Sequence, residues 1–474
     1  MSFFKDFPAR TRAKLSGLIQ AGKSRPFFLP ASGVLIVIML ALFLFWAHSS
    51  PGTAPSSLLA AALSAALFTV VCVVFLWQWL TDWMLDDKEH LPAAPAERAD
   101  IWETGSVFLS LLVLQALVLL FVYFLRIALR GYSSFVDSLG FWTCVDSQHY
   151  LAIAEDWYLS DAGLDRVVQL VFLPGYPLLI RLFYPLFHDY LYAGLLASSL
   201  CFAGAGTVLY RLALLDMDRS AARRALRFAC LMPGTFFYAA PMAESLFLLL
   251  SLSCILLIRK KLWLPACLLG GLAAFTRSLG MMLIVPAGYE LLTDTLRHGA
   301  PRGVWRRVGQ FASLLLILAG FGAYCLICKQ VSGNPFQWTI YQREHWHQQL
   351  GLFFSTASYQ TREAMSDWQG RDFETLFGLW LPNILFSLSA LGIMAVGARK
   401  LRSSYTAYFL VYYAVAIGAT WLLSAPRYLL VLFPLPFALA ELTRDRRADG
   451  PVTVLLTAAS VIYTLMFVAR WQVW

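Results

Sequence analysis

The residues best suited to chemistry lie between Phe141 and Pro185, in F-W-T-C-V-D-S-Q-H-Y-L-A-I-A-E-D-W-Y and, further on, F-L-P-G-Y-P-L-L-I-R-L-F-Y-P. Read as a helix over 146–158, Asp146 and His149 stand three apart and face one cavity, while Tyr150, Ile153, Ala154 and Trp157 line one side. A carboxylate there can accept a proton from a hydroxyl, or ligate a divalent cation through hard oxygen ligands. The alternative is a solvated helix N-cap, a position that favours Asp. Arg277 interrupts two apolar half-helices, and Arg427 opens a late apolar run after a proline. Arginine inside a membrane is costly and normally has an anionic partner, and its fork matches a phosphate. A snorkelling interfacial arginine is the competing reading for each. Arg343 is a third phosphate-binding candidate. Glu244, in A-P-M-A-E-S-L-F, is either a first-turn acid answering the helix dipole or a cavity residue. His149, His345 and the aromatic faces of Tyr150 and Trp346 can hydrogen-bond and stack on a polar substrate. His345 and His347 are two apart, which on a helix points them to different sides, so no metal site is read from them.

These groups must be positioned by membrane-spanning helices. Of the 474 residues, 59% are hydrophobic and 14% charged, where a soluble chain carries roughly 25% charged residues. The net charge of +9 does not indicate nucleic acid, because the basic residues sit in short turns between apolar runs. Met1–Arg25 is basic and lacks the short apolar core of a cleaved signal peptide. Seven of the eight cysteines fall in apolar runs, where cysteine acts as a small hydrophobe.

Apolar runs of spanning length predict an all-α polytopic membrane protein with about 13 crossings. They fall near 28–47, 57–80, 104–127, 191–211, 225–239, 242–258, 262–276, 279–292, 308–328, 376–397, 404–423, 427–442 and 452–470. With the N-terminus in the cytoplasm, 26 of the 37 basic residues fall inside, as the positive-inside rule requires. Two outer loops, 128–190 and 329–375, are long and rich in aromatic residues, a composition suited to interfacial helices. Asp146, Glu244, Arg277, Arg343 and Arg427 all fall at outer ends.

Five segments, in order, resemble the PIG-V mannosyltransferase family. V-D-S-Q-H-Y-L-A-I-A with F-L-P-G-Y-P-L-L-I-R is similar to that family's W-D-x-x-H/F-Y/F-L-x-I-A and F-F-P-x-Y/F-P-L-L-x-R. P-G-T-F-F-Y-A-A-P-M-A-E-S-L-F, L-A-A-F-T-R-S-L-G, Y-Q-R-E-H-W-H-Q-Q-L-G-L-F and A-P-R-Y-L-L-V-L-F-P are similar to its later elements. Val145 stands where the family has Trp, Met232 where it has Asn, and W-H-Q-Q where it has W-N-V.

The resemblance implies a GT-C glycosyltransferase with Asp146 in the place of the first-loop acidic residue. It implies a polyprenyl-phosphate sugar donor, with mannose as the sugar, and a glycan or glycolipid acceptor. It also implies an inverting reaction on the non-cytoplasmic side of a bacterial plasma membrane, or of the endoplasmic reticulum in a eukaryote. Arg427, Arg277 and Arg343 are then donor phosphate-binding, and His149, Tyr150, Glu244, His345 and Trp346 substrate-binding. Asp146 is either the base or a ligand to a divalent cation; no other cofactor is expected.

The expected organisation is a cytoplasmic basic segment 1–27, two extra spans with an acidic cytoplasmic loop in 28–103, a catalytic region 104–442, and a C-terminal span within 443–474. A lipid-sugar flippase or transporter is the alternative from another class, although no internal repeat of the kind transporters carry is evident. A protein O-mannosyltransferase differs in acceptor more than in fold. Orientation is open to direct test: a reporter fused in the 298–303 loop should read cytoplasmic, and a cysteine placed near 165 should be labelled from outside. Failure of impermeant reagents to reach position 165 in intact cells would overturn the placement of the site.

Overall fold

The computed structural model describes residues 27–84, 100–158, 168–298 and 303–474. The basic N-terminal segment, the acidic loop expected before Asp100 and Arg302 lie outside the described residues. Among those described, the chain is helical throughout, and the β-pairing is an isolated bridge between Leu350 and Ala419.

Seven helices are long and apolar enough to cross a membrane: Phe28–Ser49, Pro55–Asp82, Ile101–Arg130, Tyr190–Ala213, Val304–Ser332, Phe373–Lys400 and Arg447–Val468. The chain is a multi-pass integral membrane protein. Each of the seven overlaps an expected crossing. The other six expected crossings fall on shorter or broken helices: Arg219–Leu231, Glu244–Arg259, Trp263–Thr276, Ile284–His298, Ser403–Ile417, and the pair Ala425–Leu430 and Pro434–Leu442. Proline accounts for part of this breakage. Pro233 follows the first of these helices, and Pro426 and Pro434 each open a new one, because proline cannot donate to the preceding turn. Such breaks are tolerated at membrane depth where they are buried in protein, and these elements are the buried ones. Leu429, Leu432, Phe437, Ala438 and Ala440 have no exposed surface, while much of Phe28–Ser49 is exposed, as befits a surface facing lipid.

Small residues let the central helices approach. A Cβ on Gly320 would lie 1.8 Å from the carbonyl oxygen of Gly271, so the Trp263–Thr276 and Leu315–Ser332 helices touch backbone to backbone. At the end where the expected cytoplasmic charges collect, ion pairs tie helices together. Arg259 meets Asp216 at 2.5 Å, Arg402 meets Glu290 at 3.0 Å, and Arg307 meets Asp294 at 2.8 Å. The Tyr405 hydroxyl donates to Asp216 at 2.6 Å.

The two long expected outer loops are largely helical. The first contains Phe135–Leu139, Ser147–Asp156 and Gly175–Phe187; the second contains Gln337–Trp346 and Phe353–Gly370. The helix expected over 146–158 is shorter. It buries Tyr150, Ile153 and Ala154 as the spacing predicts, and Ser147 besides, but ends at Asp156, and Trp157 takes a left-handed φ of 59° beyond it.

Candidate active site

Four charged side chains from four distant parts of the chain meet at the end of the bundle opposite those ion pairs. Arg427 pairs with both Asp146 and Glu244, and Arg277 pairs with Glu244. Oε1 of Glu244 accepts from Nη1 of Arg277 at 2.6 Å and from Nε of Arg427 at 3.1 Å. Side-chain exposure is 1% for Glu244, 6% for Arg427, 10% for Arg277 and 29% for Asp146. Glu244 is therefore the buried anchor, and Asp146 is the member an incoming molecule meets. Two carboxylates balance two guanidinium groups, which makes burial affordable. Phe237 lies 5.4 Å below the Arg427 guanidinium and Tyr428 5.0 Å from that of Arg277, adding cation–π contact.

Local backbone explains each placement. Asp146 precedes the Ser147–Asp156 helix, yet its side chain makes no capping bond and turns to Arg427. The solvated-cap alternative is thereby corrected. Val145 holds a φ of 52°, unusual for a β-branched residue and costly by about 1–3 kcal/mol. The buried Ser147 hydroxyl steadies this turn, accepting from the Cys144 amide at 2.8 Å and donating to the Trp142 carbonyl at 2.7 Å. Arg277 sits in extended backbone (φ −147°, ψ 136°) between the Trp263–Thr276 helix and a 3-10 turn, so it does interrupt two helices. Glu244 opens the Glu244–Arg259 helix, as the first-turn reading has it, and is buried there between the two arginines.

Hydrogen bonds lock these turns to one another. The Tyr176 hydroxyl donates to the Gly194 carbonyl at 2.9 Å and lies 2.6 Å from the Ser198 hydroxyl. Ser198 donates to the Ala240 carbonyl at 2.7 Å, just ahead of Glu244. Ser245 donates to the Tyr238 carbonyl, and the Tyr238 hydroxyl to the Leu430 carbonyl, beside Arg427. A Cβ on Gly175 would lie 2.4 Å from the Thr276 hydroxyl, so F-L-P-G-Y-P needs glycine to lay its helix against the Arg277 turn.

The remaining candidates divide. His149 stacks on Phe172 (4.6 Å, 17°), and burial lowers its pKa against the opposing pull of Asp146. Tyr150 is buried edge-on to Phe172 and Tyr176. Trp346 reaches Phe172 from the second loop at 5.9 Å, and His345 packs against Trp346 and Tyr341. Arg343 is more than half exposed and pairs with its neighbour Glu344 at 3.8 Å; it is not among the residues brought to the cluster.

The second loop instead positions Arg427. Gln348 donates to the Trp421 carbonyl at 2.7 Å and Gln360 to that of Leu422 at 3.1 Å. Gly351 donates to Gly418 at 2.6 Å, and from the Phe373–Lys400 span Asn383 accepts from the Ala425 amide at 2.7 Å. Sequence reasoning missed these clamps. The adjacent W-H-Q-Q departure and Asn383, inside an apolar run, were the available signal.

Among the described residues no group of three or more His, Cys, Asp or Glu side chains gathers in one place. The carboxylates a divalent cation would find here are Asp146 and Glu244, and both are held by guanidinium groups.

No family model matches the chain, and no curated protein matches it. Among solved structures it is similar to ArnT from Cupriavidus metallidurans bound to undecaprenyl phosphate. The TM-score is 0.44 at 16% identity, over 72% of this chain and 61% of that one. The chain thus spans about three fifths of that protein's length.

The geometry sets an order of stabilities. Glu244→Ala leaves two buried arginines short of a partner and should cost about 3–5 kcal/mol. Asp146→Asn, at a partly exposed position with an acceptor retained, should cost about 1 kcal/mol or less. Thermal unfolding in detergent followed by tryptophan fluorescence checks this; a larger loss for Asp146→Asn would show that Glu244 is not the anchor.

Proposed function

We infer that this protein is a GT-C glycosyltransferase that moves a sugar, mannose by the motif resemblance, from a polyprenyl-phosphate donor to a glycan or glycolipid acceptor. The reaction is placed on the non-cytoplasmic face of the membrane, with inversion at the anomeric carbon. The observation that carries this reading is the bridging of Asp146 and Glu244 by Arg427. Four charged residues of the motif segments, Asp146, Glu244, Arg277 and Arg427, come together, with a carboxylate set against a guanidinium fork.

In the resting site, Arg427 occupies the carboxylate of Asp146. A donor phosphate is a better-matched partner for that fork, because its oxygens accept two parallel N–H bonds. Its arrival displaces the Asp146 carboxylate from Arg427 and frees it for the acceptor. The freed carboxylate takes the acceptor hydroxyl proton, the acceptor oxygen forms a bond to the anomeric carbon, and the bond from that carbon to the phosphate oxygen breaks. The electron pair leaves with the polyprenyl phosphate, whose charge Arg427 and Arg277 hold. Glu244 keeps both guanidinium groups in place throughout. His149, Phe172 and Trp346 form an aromatic wall beside Asp146 on which the sugar ring stacks. Arg343 is left out of the phosphate set because its contacts are local and exposed.

Asp146→Asn keeps the shape and removes the base, so turnover should fall by about 100- to 10,000-fold. Arg427→Lys keeps the charge but loses the fork, for a loss of roughly ten- to a hundredfold. Release of polyprenyl phosphate from polyprenyl-phosphate mannose, with the purified protein in lipid, measures both. A stably folded Asp146→Asn protein within about threefold of the parent would remove Asp146 from the chemistry.

A further inference from the structure

The two spans that precede the motif segments, Phe28–Ser49 and Pro55–Asp82, pack on one another as a hairpin. The second of them is fixed to the bundle at the end away from the charged cluster. The Gln78 side-chain amide donates to the carbonyls of Ala398 and Leu401, both at 2.8 Å, and Asp82 accepts from the Tyr289 hydroxyl at 2.7 Å. These bonds hold the hairpin in place without help from the second long loop.

Nearer the cluster the hairpin meets that loop. The Phe353–Gly370 helix starts without a side-chain capping bond, and its first two residues are buried against the hairpin. Phe353 lies 4.3 Å from Phe68, and Phe354, with no exposed surface, stands edge-on to Trp46 at 5.5 Å and Phe43 at 5.9 Å. Aromatic packing thus fixes where this helix begins, in the absence of a cap.

One turn on, the same helix holds the backbone that leads to Arg427. Thr356, Tyr359 and Gln360 share a face, being three and four apart. Thr356 donates to the Ala419 carbonyl at 3.2 Å and Gln360 to that of Leu422, while the Tyr359 hydroxyl accepts from the Leu422 amide. Ahead of the helix, the Gln349 carbonyl accepts from the Thr420 amide at 2.9 Å. With Gln348 on Trp421 and Gly351 on Gly418, every residue from 418 to 422 is bonded to the second loop. Arg427 follows five residues later. A shift at the start of the helix therefore reaches the arginine through one contiguous chain of contacts.

We propose that the N-terminal hairpin positions Arg427 for the donor phosphate, acting from Phe68 and Trp46 through Phe353 and Phe354 to the 418–422 ribbon. Its two spans are then part of the frame of the site and not an addition to it. That the ligand of Arg427 is a donor phosphate rests on the transferase reading; that the hairpin sets the backbone before Arg427 does not.

Two measurements on the purified full-length protein in lipid nanodiscs test this: hydrogen exchange over 418–430, read by mass spectrometry, and affinity for polyprenyl phosphate. Phe68→Ala should speed exchange there by about tenfold or more. It should also weaken phosphate affinity by about ten- to a hundredfold, the range for a hydrogen bond to a charged group. Trp46→Ala, at a partly exposed position, should move both in the same direction by less, and it keeps the test open if Phe68→Ala folds poorly. Phe28→Ala is the control. Phe28 is buried edge-on to Trp77 at 4.9 Å, at the far end of the same hairpin. Its loss should lower thermal stability and leave both readouts unchanged. Equal effects of Phe28→Ala and Phe68→Ala would mark a general loss of stability and overturn the proposal. So would faster exchange with unchanged affinity, or no change in either readout for Phe68→Ala and Trp46→Ala. A parent protein that binds no polyprenyl phosphate would instead sink the transferase reading, and exchange alone would then decide whether the hairpin holds the segment.

Discussion

A guanidinium that never loses its proton cannot be left alone in the interior of a membrane protein, and Arg427 is almost wholly buried. That single constraint organises this end of the molecule. Arg427 needs an anionic partner, and Glu244 supplies one from a helix start 183 residues away. Glu244 then has charge and geometry left for Arg277. Only the outermost carboxylate, Asp146, is arranged so that it can leave Arg427 without stranding a buried charge. In a cluster built this way the anchor, Glu244, and the more exposed partner, Asp146, are different residues.

The surrounding fold serves that arrangement through short, broken elements. Long helices supply the walls, but each of the four charged residues stands at a break: before a helix for Asp146, at a helix start for Glu244, between helices for Arg277, and after a proline for Arg427. A break releases backbone groups that must be satisfied inside the protein. The relay from Tyr176 through Ser198 to Ala240, and the Tyr238 bond to Leu430, meet that need and also fix the breaks relative to one another. The same hydrogen bonds that make irregular backbone tolerable thus set the site geometry.

Much of this was legible in the amino-acid order. The seven long helices follow from apolar runs, and the charge bias of the connecting turns put all four cluster residues at one end. What could not be read was partnership. Periodicity reports which face of its own helix a residue occupies, and it says nothing about which carboxylate, hundreds of positions away, a given arginine meets. Hence Arg343 and Arg427 are both read as cations at outer ends, although one is satisfied locally by Glu344 and the other is buried between two acids. Hence also the cap-like position of Asp146 misdirects: local rules favour a capping bond, and the long-range ion pair prevails. The left-handed turn at Val145 has no signature in its own residue type, since a β-branched residue is among the last that propensity would put there.

The central claim is that Asp146 and a donor phosphate compete for Arg427. A cryo-EM map of the protein in lipid with an added polyprenyl phosphate tests it most directly. The account predicts the phosphate within hydrogen-bonding reach of Arg427, the Asp146 carboxylate separated from that guanidinium, and Glu244 still joined to both arginines. A bound lipid phosphate lying elsewhere, with the Asp146–Arg427 pair intact, would contradict it.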